Sequence, residues 1–184
     1  MYFTMYKKQI GIIGSRNLSR ENLELVTKLS EFLIDEGYRT VTGGLGSLQD
    51  SVHRGAKLSK NSSDCDTIAI IPGFNPSELV NCADVIIPTG IDLYRNVMVA
   101  NSEVVIAVEG GAGTLSEIAY AWQLNRPIIA IGKGGWAEKL SGVNLDSRRP
   151  KDHLIDCIGD KPEEIIDQVI RLTNENYQWH KKLE

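Results

Sequence analysis

The run Val104-Val105-Ile106-Ala107-Val108-Glu109-Gly110-Gly111-Ala112-Gly113-Thr114 passes from a β-branched apolar segment into a glycine loop and then into a helical pattern. An apolar run without in/out alternation reads as a strand buried on both faces, the habit of parallel sheets covered by helices. Five further runs read the same way: Gln9–Gly14, Arg39–Thr42, Thr67–Ile71, 84–87 and 127–131. Between the first two, Leu23, Val26, Leu29, Leu33 and Ile34 recur at helical spacing and Gly37 supplies the stop. The spacing predicts further helices over 48–58, 93–101, 114–124 and 163 to about 177, with 133–151 as one long irregular stretch. A β-α-β-α order predicts right-handed crossovers and a Rossmann-like, three-layer α/β/α fold with a mainly parallel, doubly wound sheet.

Composition narrows the function. At 184 residues and 42% hydrophobic content, one sizeable core is expected. The expectation is a single domain over 1–184, with its core over about 9–132 and a C-terminal loop and helix over 133–184. A net charge of −4, with Lys and Arg scattered, offers no basic stripe for a nucleic-acid backbone, so no nucleic-acid partner is expected. Cys65, Cys82 and Cys157 have neither C-x-x-C spacing nor a histidine at zinc-ligand distance. They read as buried small hydrophobes in a reducing compartment, with no metal site. Residues 1–8 lack an apolar core segment, and no run approaches the ~20 apolar residues of a membrane span. The expectation is a cytoplasmic protein without membrane contact or resident cofactor.

In such sheets ligands sit outside the carboxyl ends of the strands. Three glycine loops fall there: Gly14-Ser15-Arg16, Thr42-Gly43-Gly44 and Gly110-Gly111-Ala112-Gly113-Thr114. The first belongs to G-x-x-G only, and no acidic residue closes the second strand, which disfavours a dinucleotide site; no loop carries a P-loop lysine. Small residues at 110–113 let backbone amides approach an anion, the following helix adds its positive end, and Thr114 adds a hydroxyl. The plain alternative is a tight turn requiring φ > 0.

Other candidates have two readings each. Thr114-Leu115-Ser116-Glu117 has capping-box spacing, so Glu117 caps the helix or faces a ligand. Arg95 contacts a ligand anion, or else pairs with Asp92 or is simply exposed. Arg16 reaches the pocket or stays solvated, and Asp50 with His53 reads as a structural pair. Gly134-Gly135-Trp136 forms a hinged aromatic cover or packs on the rim.

Thr42-Gly43-Gly44, Ile87-Pro88-Thr89-Gly90, Arg95-Asn96 and above all Val108 to Glu117, with its GG-x-GT-x-x-E motif, resemble the LOG-like (SLOG) superfamily. The resemblance covers about 9–132 and points to the small bacterial proteins grouped with molybdenum-cofactor carriers. It implies a Rossmann-like homodimer or higher homo-oligomer with the phosphate of a nucleotide-like ligand at the motif loop. In the cytokinin-activating branch, an arginine and the motif glutamate support hydrolysis of the N-glycosidic bond of a nucleoside 5′-monophosphate. Arg95 and Glu117 match those positions, which implies release of free base and ribose 5-phosphate. The alternative is a non-catalytic binder or carrier of a phosphorylated ligand, either molybdenum cofactor or a nucleotide signal. A lysine decarboxylase label also attaches to relatives, but no lysine here argues for pyridoxal phosphate. The chain departs from the pattern at Glu109, where a proline is common, and at Leu48-Gln49, where Met-Gly is common; Arg95 sits about one residue out of register.

Overall fold

The computed structural model describes residues 6–79, 82–148 and 153–174. Of the segments read from the sequence, 1–5, 149–151 and 175–177 lie outside them. Seven parallel strands run in the order β4-β3-β2-β1-β5-β6-β7: β1 Gln9–Gly14, β2 Arg39–Thr42, β3 Thr67–Ile71, β4 Val85–Pro88, β5 Val104–Val108, β6 Ile128–Ile131 and β7 Leu154–Cys157. The fold is the expected Rossmann-like α/β arrangement. Among the described residues six helices flank the sheet: α1 Arg20–Asp35, α2 Gly46–Leu58, α3 Asn96–Ala100, α4 Ala112–Gln123, α5 Gly135–Leu140 and α6 Pro162–Asn174.

The unalternating strands feed two cores, one on each face. Ile10, Ile12, Val104 and Ile106 point into a layer made by α1, α2 and α6. Ile13, Val105, Ala107 and Ile128 point into the layer of α3, α4 and α5, where Trp122 is buried. Burying both faces of the central strands is what their sequence required. Helix α1 starts where Ser19 accepts a hydrogen bond from the Asn22 amide (3.4 Å) and stops before Gly37, whose φ of +80° suits glycine.

Three departures from expectation have local causes. The helix expected over 93–101 is a 3₁₀ turn, Asp92–Arg95, followed by α3. The stretch 133–151 contains the six-residue α5. The edge strand β7 is not legible in the sequence because Leu154-Ile155-Asp156-Cys157 is short, with Ile155 half-buried and Asp156 exposed. The three cysteines are not alike: Cys157 is buried, Cys82 is partly buried and Cys65 is exposed at φ +70°.

Candidate functional site

The chain builds β1 to β4 outward on one side, then returns across the sheet to lay β5 against the other side of β1. Such a reversal opens a crevice at the carboxyl ends of the two strands. Here a cavity of about 330 Å³ is walled by Gly14-Ser15-Arg16, Gly43-Gly44, the first turn of α4, and the side chains of Arg95 and Glu117. Two of the residues read as phosphate-binding lie outside its wall. Gly110 (φ +90°) is packed from behind by Thr114, whose Oγ1 would stand 2.1 Å from an added Cβ. Ala112 is exposed and lines a neighbouring hollow with Leu93, Tyr94 and Tyr120.

Helix α4 begins two residues earlier than the motif implied. Gly111 is its N-cap and makes no side-chain cap bond. The first amide to find a carbonyl is that of Leu115, which donates to the Gly111 oxygen (3.0 Å), so the amides of Ala112, Gly113 and Thr114 ahead of it have no intrahelical acceptor. An uncapped positive helix end therefore opens on the cavity.

This start also removes the capping box. Thr114 is the third helical residue, and Glu117 lies one turn further in, where it caps nothing. Its Oε1 accepts from Arg95 Nη1 at 3.0 Å, in a pair with only 6% exposure for the glutamate and 8% for the arginine. Burial pushes the Glu117 carboxyl from its ordinary 4.5 up to about 7, against the pull of Arg95. Burial also lowers the Arg95 pKa, Glu117 raises it, and Arg16 across the rim lowers it. Arg95 closes the 3₁₀ turn ahead of α3 and forms its ion pair with Glu117; Asp92 contributes a longer-range attraction.

The other loops are largely occupied by the protein itself. The Gly44 amide donates to Thr42 Oγ1 (3.2 Å), which in turn donates to Gln49 Oε1, while Gln49 Nε2 donates to the Cys82 carbonyl. The Arg16 carbonyl accepts from the Ser47 amide at 2.7 Å, at the start of α2. Arg16 itself is exposed at the cavity rim. Glu109 turns away from the cavity: at φ +53° its carboxylate accepts from the Ser19 amide (2.9 Å) and from Asn22 Nδ2, bracing the start of α1. The Trp136 amide donates to Gly110 O (3.0 Å), so Gly134-Gly135-Trp136 is tied to the rim, and Trp136 does not line the cavity. His53 Nδ1 bonds Thr67 Oγ1 (3.0 Å), away from the cavity.

Thr42, Gln49 and Asn96 also line the cavity; they stand beside the motif residues in the sequence, which gives none of them a role in the site. Gln49 carried a signal, since it is a polar residue on the buried stripe of α2 beside Leu48 and Val52. Asn96 Nδ2 donates to Ser116 Oγ (2.9 Å), whose own proton goes to the Gly113 carbonyl (2.7 Å). Because that hydroxyl can only accept from Asn96, the amide orientation is fixed. Among the described residues no group of three or more His, Cys, Asp or Glu could hold a metal ion, and no helix is long and apolar enough to cross a membrane.

The same fold recurs in known proteins. A molybdenum cofactor binding protein from Rippkaea orientalis superposes with a TM-score of 0.76 at 28% identity, over 92% of this chain and 99% of that one. The molybdenum cofactor carrier protein of Chlamydomonas reinhardtii gives 0.74 at 27% identity, over 91% and 99%. An uncharacterized protein of Archaeoglobus fulgidus is 33% identical over 125 residues, 67% of this chain and 79% of that protein. The model of the SLOG cluster4 family matches residues 7–164. Since that match takes in all seven strands and every loop around the cavity, the chain belongs to the SLOG cluster4 family.

Proposed function

We propose that this protein binds a small phosphorylated, nucleotide-like ligand and hydrolyses the N-glycosidic bond of a nucleoside 5′-monophosphate to free base and ribose 5-phosphate. The observation that carries this reading is the buried Arg95–Glu117 pair set in the same cavity as the uncapped start of α4. In it the phosphate takes the free amides of Gly113 and Thr114, with Gly14, Ser15 and Arg16 on the opposite rim. Glu117, buried and holding its proton up to about pH 7, is matched to proton transfer near neutrality. Its carboxylate orients water and the ribose hydroxyls as positive charge develops on the sugar, while Arg95 holds the carboxylate in place. Water adds to the anomeric carbon, the bond to the base breaks, and the base leaves with a proton.

A second reading is carriage without turnover, and the likeness to molybdenum cofactor carrier and binding proteins over nine-tenths of the chain favours it. There the α4 amides hold a cargo phosphate, and the Arg95–Glu117 pair is part of the wall. In either reading the protein is a homodimer or higher homo-oligomer: Leu93 and Tyr94 are 70% and 76% exposed beside the half-exposed Ile91 and Met98, an apolar face that a second copy would cover.

Incubation with AMP, GMP, CMP and UMP, with released base measured, decides between the two. Base release lost in Glu117→Gln while the ligand still raises Tm supports hydrolysis. Ligand-raised Tm with no base released leaves carriage, and neither effect removes both.

A further inference from the structure

A Cβ added to Gly43 would stand 2.4 Å from Arg95 Nη1, 2.5 Å from Nη2 and 2.6 Å from Cζ. All three nearest atoms belong to one guanidinium, which therefore covers the open face of the glycine. Gly43 is not among the glycines with positive φ, unlike its neighbour Gly44 at +70°. At 43 the guanidinium, and not a positive φ, stands in the way of a side chain. The loop beneath is held from inside, because the Gly44 amide and Gln49 are both bonded to Thr42. Arg95 also has a buried Nε without a partner, so its position does not rest on a full set of hydrogen bonds.

We propose that Gly43 is a positioning residue whose missing side chain is the seat of the Arg95 guanidinium, so that the second glycine loop serves the Arg95–Glu117 pair rather than a ligand phosphate. The charges that act on Arg95 in this seat are Glu117 and Asp92, which attract it, and Arg16, which repels it. The atoms nearest an alanine Cβ at 43 are the tip of a flexible side chain, which can move aside and leave the fold intact. Moving it draws the cation away from Glu117, and the carboxyl then binds its proton more tightly.

The test is a ¹³C carboxyl NMR titration of Glu117 in the ligand-free full chain, the resonance being identified by its loss in Glu117→Gln. It needs no nucleotide, so it stands or falls separately from the hydrolase and carrier readings. Gly43→Ala should raise the Glu117 midpoint by about one pH unit, and should add nothing in an Arg95→Met background. A midpoint unmoved by Gly43→Ala, or moved as far when Arg95 is already Met, overturns the proposal. If Gly43→Ala fails to fold, recovery of folding in the Arg95→Met background supports the seat, and unfolding in both backgrounds refutes it.

Discussion

Replacing Glu117 by Gln keeps the size of the side chain and an oxygen for the Arg95 bond but removes a titrating proton. In the folded protein the carboxyl, 6% exposed, is shifted by burial from 4.5 to about 7. The folded state therefore holds this proton more tightly than the unfolded chain does. Below the unfolded pKa both states are protonated and the contribution to stability is fully present. As pH rises the unfolded carboxyl ionises first, and the contribution is lost through the folded pKa. At about 1.4 kcal/mol per pH unit of separation, the full loss is about 3 kcal/mol. Denaturant unfolding at several pH values between about 5 and 8 should find wild type losing about 2 to 3 kcal/mol relative to Glu117→Gln. His53, whose pKa burial lowers, titrates alike in both proteins and cancels in the difference. Asp66 and Asp84, held low by Lys7 and Lys57 among other hydrogen-bond partners, lose their contribution only as the pH falls below this window. Parallel stability curves for the two proteins would refute the reasoning, because they would mean that folding leaves the proton affinity of Glu117 unchanged.

Two further outcomes are expected. Glu109→Ala removes the acceptor of the Ser19 amide and of Asn22 at the start of α1, and should lower stability by about 1–2 kcal/mol in denaturant melts; an unchanged midpoint would show that this brace carries no weight. Tyr94→Asp, on a side chain 76% exposed, should lower the mass seen by sedimentation to that of a single chain. If the mass stays the same in both proteins, the apolar face is not the contact between copies.

How much of this could be read from the chain follows from how local each feature is. The six apolar runs became strands because burial on both faces is written in consecutive residues, as in Val104 to Val108. Glycines marked the correct rim for the same reason. Glu117 was harder to read. Its spacing from Thr114 mimics a cap, and its partner is an arginine 22 residues away that the packing of α3 against α4 brings to 3.0 Å. The start of α4 at Ala112 could not be read because Gly111 caps by backbone alone, without the side-chain oxygen that usually marks such a start. Gln49 and Asn96 gained no site role from the sequence, since their place in the wall depends on partners, Thr42, Cys82 and Ser116, that sequence distance hides.

The left-handed corner at Glu109 bears on how relatives should be aligned. A proline is locked near φ −65° and cannot occupy a residue at +53°. A relative with proline in that column must leave its fifth strand by another backbone path, without a carboxylate to fasten the neighbouring helix. The motif glycines that follow then match letter for letter while lying on different trajectories. Transplanting that loop alone, in either direction, would carry over the residues but not their geometry; the segment around Ser19 and Asn22 would have to travel with it.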